Sequence, residues 1–408
     1  DVKILRYQIP GFDELSLKQK KLVYYLSEAG LAGRDIMYDQ NYRHNLKIRR
    51  ALENIYTTFE GDKATEDWKS FETYLKRVWF SNGIHHHYAN DKFKPEFSKD
   101  YFDVLLKETN TIISGEAYEV IFNEADSKKV NLDASKGLLK GSAINFYSPN
   151  VTVEDVDNFY ASKIDKNDAT PIEYGLNSKL VKNDDGTLEE KVWKIDGMYG
   201  LSIEKIVFWL EKAVTVAEND KQAEALKLLI DYYKTGDLNT WDEYNVAWAS
   251  STDGDIDYIN GFIEVYNDPK AFRGSYETII QIKDFDMSKK MAALSENAQW
   301  FEDNSTLNEA HKKKKVVGVS YKTVNVASES GDASPSTPIG VNLPNSNWIR
   351  QQHGSKSVSL GNIINSYNNA SGSGKLEEFA FDETEILTEE TYGQLADKLH
   401  TALHEVIG

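Results

Sequence analysis

Apolar positions recur at helical spacing from the start of the chain. Ser16 and Gln19 form a capping-box pattern ahead of Leu22, Tyr25, Leu26 and Ala29, and Gly30 follows as a stop, which predicts an amphipathic helix. A second helix is predicted from about Ser202, with Ile203, Ile206, Val207, Leu210 and Val214 on one face. A third is predicted from about Lys221 to Gly236, where the glycine supplies the stop. The first two-thirds of the chain therefore read as mainly helical. Strand signals come later, in the β-branched run Thr278, Ile279, Ile280 between Glu277 and Ile282. They recur where Val317, Val319 and Tyr321 alternate with Gly318, Ser320 and Lys322. These segments are expected to join in a small sheet. Ser328 to Thr337 and Ser371-Gly372-Ser373-Gly374 read as flexible, the second as a lobe boundary. From Thr388 to Gly408 the pattern turns helical again, with Ala396, Leu399, His400, Leu403 and His404 on one stripe. No repeat of fixed period runs along the chain.

Composition narrows the function classes. With 408 residues, 40% of them hydrophobic and eight of them Trp, the chain is long enough to bury substantial cores in two lobes. A formal net charge of -18 opposes a phosphate backbone. The one basic run, His311 followed by Lys312 to Lys315, reads as a solvated turn entering a strand at Val316 and Val317, so nucleic acid is not an expected partner. The absence of cysteine excludes disulfides, thiol nucleophiles and thiolate metal sites, so that any zinc must be held by histidine and carboxylate. No run approaches the roughly 18 apolar residues of a membrane span, and no membrane partner is expected. The chain begins at Asp1 instead of Met, which implies removal of a signal peptide or a cloning truncation upstream.

Candidate chemistry gathers at the C-terminal end. In the zinc-peptidase pattern H-E-x-x-H, two histidines four apart project from one helix face, and the glutamate beside the first takes a proton from metal-bound water. After His404-Glu405 the required position holds Gly408, so the pair fails that pattern and by itself reads as a polar pair on a helix. His400 and His404 are also four apart, but no suitably placed glutamate accompanies them, and His400 is assigned to packing or to orienting a ligand. His85, His86 and His87 are adjacent, and neighbours on a regular element point in different directions, so they are left off the metal. As isolated residues, Glu264 reads as a solvated carboxylate, Tyr266 as a core aromatic and Asn342-Leu343-Pro344-Asn345 as a turn.

His404-Glu405-Val406-Ile407-Gly408 resembles the H-E-x-x-G-H motif of the dipeptidyl peptidase III family, in which an extra residue separates the two histidine ligands and the helix bulges to align them. Longer stretches also resemble family signatures: Trp79 to Tyr88, Gly261 to Pro269, Ile339 to Asn345 and His353 to Ile363. The resemblance covers essentially the whole chain. It implies an α+β, predominantly helical fold with two lobes around a cleft, a lower lobe containing a small β-barrel and a helical upper lobe carrying zinc. On this reading residues 1–284 and 325–371 form the lower lobe. Residues 285–324 are an upper-lobe segment and 372–408 the start of the zinc-binding region, which the chain leaves incomplete.

The resemblance also implies an activity, the zinc-dependent removal of dipeptides from the free N-terminus of oligopeptides. Such chemistry requires an ammonium to be held at a fixed distance from the metal. Glu264 matches the family's principal anchor, Asn342 and Asn345 match asparagines that bind the first residues' backbone, and Glu277 matches a further acidic residue of that subsite. Pro338, Ile339 and Gly340 fall in a segment along which an extended peptide would pair as an added strand. Tyr266 matches an oxyanion stabiliser and, two residues after Glu264 in a strand, would share its face. His404 is implied as a ligand to one zinc ion and Glu405 as the base that deprotonates its water. The second histidine and a glutamate ligand from an E-E-x-x-A-E/D motif are expected beyond Gly408. The three adjacent histidines line the cleft by resemblance or are structural. Expected partners are an oligopeptide substrate and the missing C-terminal part of the same protein. The family implies a cytoplasmic enzyme, with a periplasmic or secreted form left open. A catalytically inactive, peptide-binding fragment of the same fold is the alternative.

Overall fold

The computed structural model of the 408-residue chain describes residues 4–285, 287, 296–316, 319–371 and 374–407. The predicted first helix is present as α1 (Leu17–Ala32), and its capping box is formed in both directions: the Gln19 amide donates to Ser16 Oγ at 3.3 Å and the Ser16 amide to Gln19 Oε1 at 3.0 Å. Gln19 Nε2 also donates to Glu218 Oε1 at 2.9 Å and Asp255 Oδ2 at 3.1 Å, tying the helix start to two distant loops. Next come α2 (Arg34–Asn41), α3 (Asn45–Thr58), α4 (Glu66–Phe80), α5 (Lys99–Glu108) and α6 (Gly115–Phe122). Helices α3 to α6 close over their own aromatic core of Trp68, Phe71, Tyr74, Phe97 and Phe102, all buried. After α7 (Val153–Ala161) and a hairpin of β1 (Ser178–Lys182) and β2 (Leu188–Val192), the predicted second and third helices appear as α8 (Gly200–Val214) and α9 (Asp220–Thr235). Ile203, Ile206, Val207 and Leu210 are buried as expected, and Gly236 ends α9 at φ 71°, a conformation that glycine adopts without strain. Helix α10 (Leu238–Ser250) completes this layer.

A five-stranded sheet lies against it. Its strands are β3 (Ile256–Phe262), β4 (Tyr276–Lys283), β5 (Val319–Gly331), β6 (Gly340–Leu343) and β7 (Ser355–Leu360), in the order β3-β4-β5-β7-β6. All neighbours run antiparallel except β5 and β7. The order is open: β3 and β6 are edges and share no ladder among the described residues. The sheet nevertheless curls far enough for Lys356 Nζ on β7 to reach Asp257 Oδ2 on β3 at 2.8 Å. The run expected between Glu277 and Ile282 is the body of β4. Of the second expected strand, residues 317 and 318 lie outside the described residues and the rest opens β5.

That strand corrects the sequence reading of Ser328 to Thr337 as flexible. Ser328, Glu329, Ser330 and Gly331 belong to β5, paired with Ile280, Ile279, Thr278 and Glu277 of β4, and turns begin only at Asp332. The ladder offered by β4 overrides a composition of small polar residues. Ser371 and Gly374 are helical ends, with residues 372 and 373 outside the described residues. The last helix, Glu383–Ile407, begins five residues before the expected Thr388 because Asp382 accepts from the amides of Thr384 and Glu385, both at 2.9 Å. Among the described residues no helix is long and apolar enough to cross a membrane.

Helix α1 and the turn after it dock on β4 through missing side chains. Gly30 and Gly33 face Thr278 and Tyr276, and the Tyr276 hydroxyl donates to the Ala29 and Gly30 carbonyls at 3.3 and 3.1 Å. A methyl group at Gly33 would sit 2.1 Å from Cζ of Tyr276, although its φ of -92° suits any residue. Gly33→Ala is therefore expected to cost about 1–3 kcal/mol by overpacking. Urea unfolding followed by circular dichroism measures it, and an unchanged midpoint would show that α1 and β4 do not meet this closely.

Candidate active site

Glu264 and Tyr266 stand in the connection between β3 and β4, and here the structure departs from the expectation of a shared strand face. Strand β3 ends at Phe262; pairing continues only through the Ile263 amide to Ser275 O (3.0 Å) and the Ser275 amide to Glu264 O (2.8 Å). A turn then begins at Tyr266 because Asp268 draws the chain inward. Its carboxylate accepts from the amides of Lys270, Phe272 and Arg273 at 2.9 to 3.0 Å and from the Tyr147 hydroxyl at 2.8 and 2.9 Å. Arg273, fully buried, donates to Tyr147 at 2.8 Å and to Tyr160 at 2.5 Å and lies 3.8 Å from Asp268. The turn presents Tyr266 to solvent at 79% exposure, so it is not a core aromatic.

Glu264 is half-buried, not solvated, and Asn345 Nδ2 donates to its Oε1 at 3.3 Å. Burial raises its carboxyl above the usual range, with the Asp332 charge adding to the rise and hydrogen bonds from Asn345 and Tyr266 opposing it. The Glu264 charge in turn raises the Tyr266 phenol. Glu277 is buried on β4, where desolvation raises it well above the ordinary glutamate value, reinforced by Asp332, Glu264 and Glu329. Asp332, just past β5, is raised by burial and held back by Lys129 and by Asn267, whose Nδ2 lies 3.2 Å from both carboxylate oxygens. Glu173 is raised by burial and then by Glu264. Four carboxyl groups thus share a region in which Lys129, itself buried, is the cation that acts on Asp332.

Asn342 lies on β6 opposite Ser357, and its Oδ1 is buried without a hydrogen-bond partner among the described residues. Asn345 follows a cis Leu343-Pro344 bond, and its side chain reaches Glu264. The Ile339 carbonyl accepts from the Leu360 amide at 2.9 Å and so faces β7, while Gly340 opens β6, the free edge of the sheet. Pro338 directly precedes this run. The structure therefore brings Glu264, Tyr266 and Asn345 together, places Glu277 behind them, and sets β6 alongside.

The histidines divide as follows. His85 is buried with Nε2 2.7 Å from Asp126 O, and burial lowers it to about 4. His86 stacks on His87 at 4.4 Å between ring centroids, and burial lowers His87, too, to about 4. All three are held as structural groups, and among the described residues no three His, Asp or Glu side chains are placed to hold a metal. His400 is exposed, which corrects its assignment to packing. The helix Glu383–Ile407 carries His404 and Glu405 in its last turns, but their side chains, and Gly408, lie outside the described residues. A catalytic zinc takes about three protein ligands, of which His404 would be one.

A family model described as peptidase family M49 matches residues 129–408. The chain belongs to peptidase family M49. It is similar to dipeptidyl peptidase 3 of Dictyostelium discoideum, 24% identical over 381 residues that cover 87% of this chain and 54% of that protein. Dipeptidyl peptidase 3 of Homo sapiens is 22% identical over 400 residues, covering 87% and 53%. Among solved structures, DPP III from Caldithrix abyssi matches with a TM-score of 0.63 at 21% identity, covering 88% of this chain and 57% of that one. The dipeptidyl-peptidase III structure from Corallococcus sp. strain EGB gives 0.64 at 16% identity with the same coverage. The mixed fold of this M49 chain is thus that of these structures, and the chain spans about half the length of the curated relatives it matches.

Sequence reasoning missed Asp332, Lys129, Asn267, Asp268 and Glu173. Asn267-Asp268-Pro269 stood within a stretch singled out above, but the other three gave no local signal, since only folding brings them to Glu264.

The raised carboxyls set a direction for stability against pH. A folded-state value above the unfolded one means that the native state holds a proton the unfolded chain has released, so stability falls as pH rises through that window. For Glu277 the window opens at the ordinary value of 4.5 and extends upward. Glu277→Gln removes the penalty, so its melting temperature should match the parent near pH 4 and exceed it by about 2 °C or more at pH 8. A gain of equal size at both pH values would refute the buried-charge account.

Proposed function

We propose that this chain supplies the peptide-anchoring side of a zinc-dependent exopeptidase that removes dipeptides from the free N-terminus of oligopeptides. The observation that carries the reading is the pairing of half-buried Glu264 with Asn345 beside the exposed Tyr266, next to the free edge of β6. A carboxylate short of cations attracts a peptide's terminal ammonium, and Asn345 and the unpartnered Oδ1 of Asn342 offer acceptors for its remaining protons. Pro338, Ile339 and Gly340 lead into the edge along which the peptide backbone pairs. Glu277, being buried behind Glu264, lines the subsite from the β4 side and is held in its protonated form by burial.

Tyr266, exposed beside Glu264, is the oxyanion stabiliser of this reading. Glu405 is its base and His404 its first zinc ligand; when bound, the metal would supply a water acidic enough to attack near neutral pH. The two-lobed arrangement, the small barrel in the lower lobe, the boundaries near 284, 324 and 371, the remainder of the protein as partner and a cytoplasmic setting belong to the same proposal. The alternative reading, a peptide-binding fragment without catalysis, rests on the anchoring residues alone.

The test combines intact mass and zinc content of the purified protein with incubation of a short peptide and its N-acetylated form. Dipeptide release from the free peptide only is the expected result, and Glu264→Gln should lower kcat/KM by about 10²-fold or more. Glu405→Gln should abolish release while peptide affinity survives. Equal cleavage of the acetylated peptide would overturn the anchoring role of Glu264. Peptide binding that requires Glu264 but yields no dipeptide from a zinc-loaded sample would establish the alternative.

A further inference from the structure

The N-terminal segment, the end of β5 and the helix Gly361–Ser371 border a cavity of about 270 Å³. Its wall includes Tyr7, Phe80, Glu329, Thr337, Ile363 and Tyr367. Thr337 Oγ1 donates to Glu329 Oε1, and the Tyr367 hydroxyl donates to the Thr337 carbonyl at 3.3 Å. The other carboxylate oxygen, Oε2, is buried and has no hydrogen-bond partner among the described residues. Among the described residues, no lysine, arginine or histidine lines the cavity.

A buried carboxylate oxygen without a donor is costly, and the surroundings state what would relieve it. Phenylalanine and tyrosine rings favour a positive charge and an apolar stem. A single carboxylate does not furnish the roughly six to eight oxygens of a calcium site, which leaves an organic monocation. The volume is just below the usual range of small-molecule pockets and suits a short chain ending in nitrogen. We propose that this cavity binds an alkylammonium group, with its nitrogen on Glu329 and its stem against Phe80, Ile363 and the two tyrosine rings.

Burial holds Glu329 up at about 7, against the Thr337 hydrogen bond, and no cation among the described residues acts on it. An arriving ammonium supplies the missing charge. Two sources offer this chemistry: a free amine, or a lysine side chain of a peptide, since Thr337 directly precedes the segment proposed to pair with substrate. The site does not require the peptidase reading to be correct.

Saturation-transfer NMR on the 408-residue protein tests it with n-butylammonium and, as an uncharged counterpart, n-pentanol. The expected result is saturable binding of the ammonium with Kd of about 1 mM and at least ~10-fold weaker binding of the alcohol. Glu329→Gln should bring the two ligands to equal affinity. Equal affinities in the unaltered protein, or no saturable signal from the ammonium, would overturn the proposal, and that comparison needs no variant to fold. Displacement of n-butylammonium by N-acetyl-lysine methylamide would assign the side chain as the source, and binding without displacement the free amine.

Discussion

One buried carboxylate, Asp268, organises the β3–β4 turn on which the candidate site rests. A chain that reverses inside a core must find acceptors for its amides, and Asp268 serves three of them together with a phenol. Its negative charge would be prohibitive there without Arg273, whose guanidinium is in turn shared between Tyr147 and Tyr160. The network does not stop at the turn. Tyr160 donates to Glu190 at 2.7 Å, and Glu190 also accepts from Ser178 at 2.8 Å and Lys163 at 2.5 Å, which carries the same set of bonds through the β1–β2 hairpin into α7. Removing any member leaves a charge or hydroxyl stranded in the core, so the position of Glu264 is fixed by residues that never approach a ligand.

Around that turn the protein tolerates an excess of negative charge. Glu264, Glu277, Asp332 and Glu173 all sit above their usual ranges because burial withholds water. Such an arrangement weakens the folded state near neutral pH, yet it creates the potential that a cationic group feels on approach. Lys129 offsets only part of it, being itself buried and lowered by desolvation. Preorganised charge of this kind is maintained by packing against Gly30, Gly33 and Gly261, where a larger side chain would strike Thr278, Tyr276 or Trp241.

The helices α1, α8 and α9 were legible because each carries its own instructions: a capping box for α1, an apolar stripe for α8 and a terminal glycine for α9. β4 was legible from its β-branched run. The edge strand β6 and the polar half of β5 were not, because Gly340, Ser328 and Ser330 have weak strand preference and are ordered by their neighbours. The same divide runs through the candidate site. Glu264, Tyr266, Asn342 and Asn345 were reached by resemblance to a family, whereas Asp332 and Lys129 meet across about 200 residues of chain and left no pattern for periodicity to find. Tyr266 shows the cost of reading geometry from spacing: a strand would have aligned it with Glu264, but a turn does so instead.

Strand β6 has a further consequence through its shortness. Ile339 accepts from Leu360, and by antiparallel alternation Val341 and Leu343 also spend their backbone groups on β7, leaving those of Gly340 and Asn342 pointing outward. Pro344 has no amide with which to extend the run. An extended chain laid on this edge therefore meets two docking stations and then nothing. Such an edge measures length: it registers a short stretch of any peptide backbone without reading its side chains, and it is too brief to template the indefinite pairing by which longer free edges recruit copies of themselves.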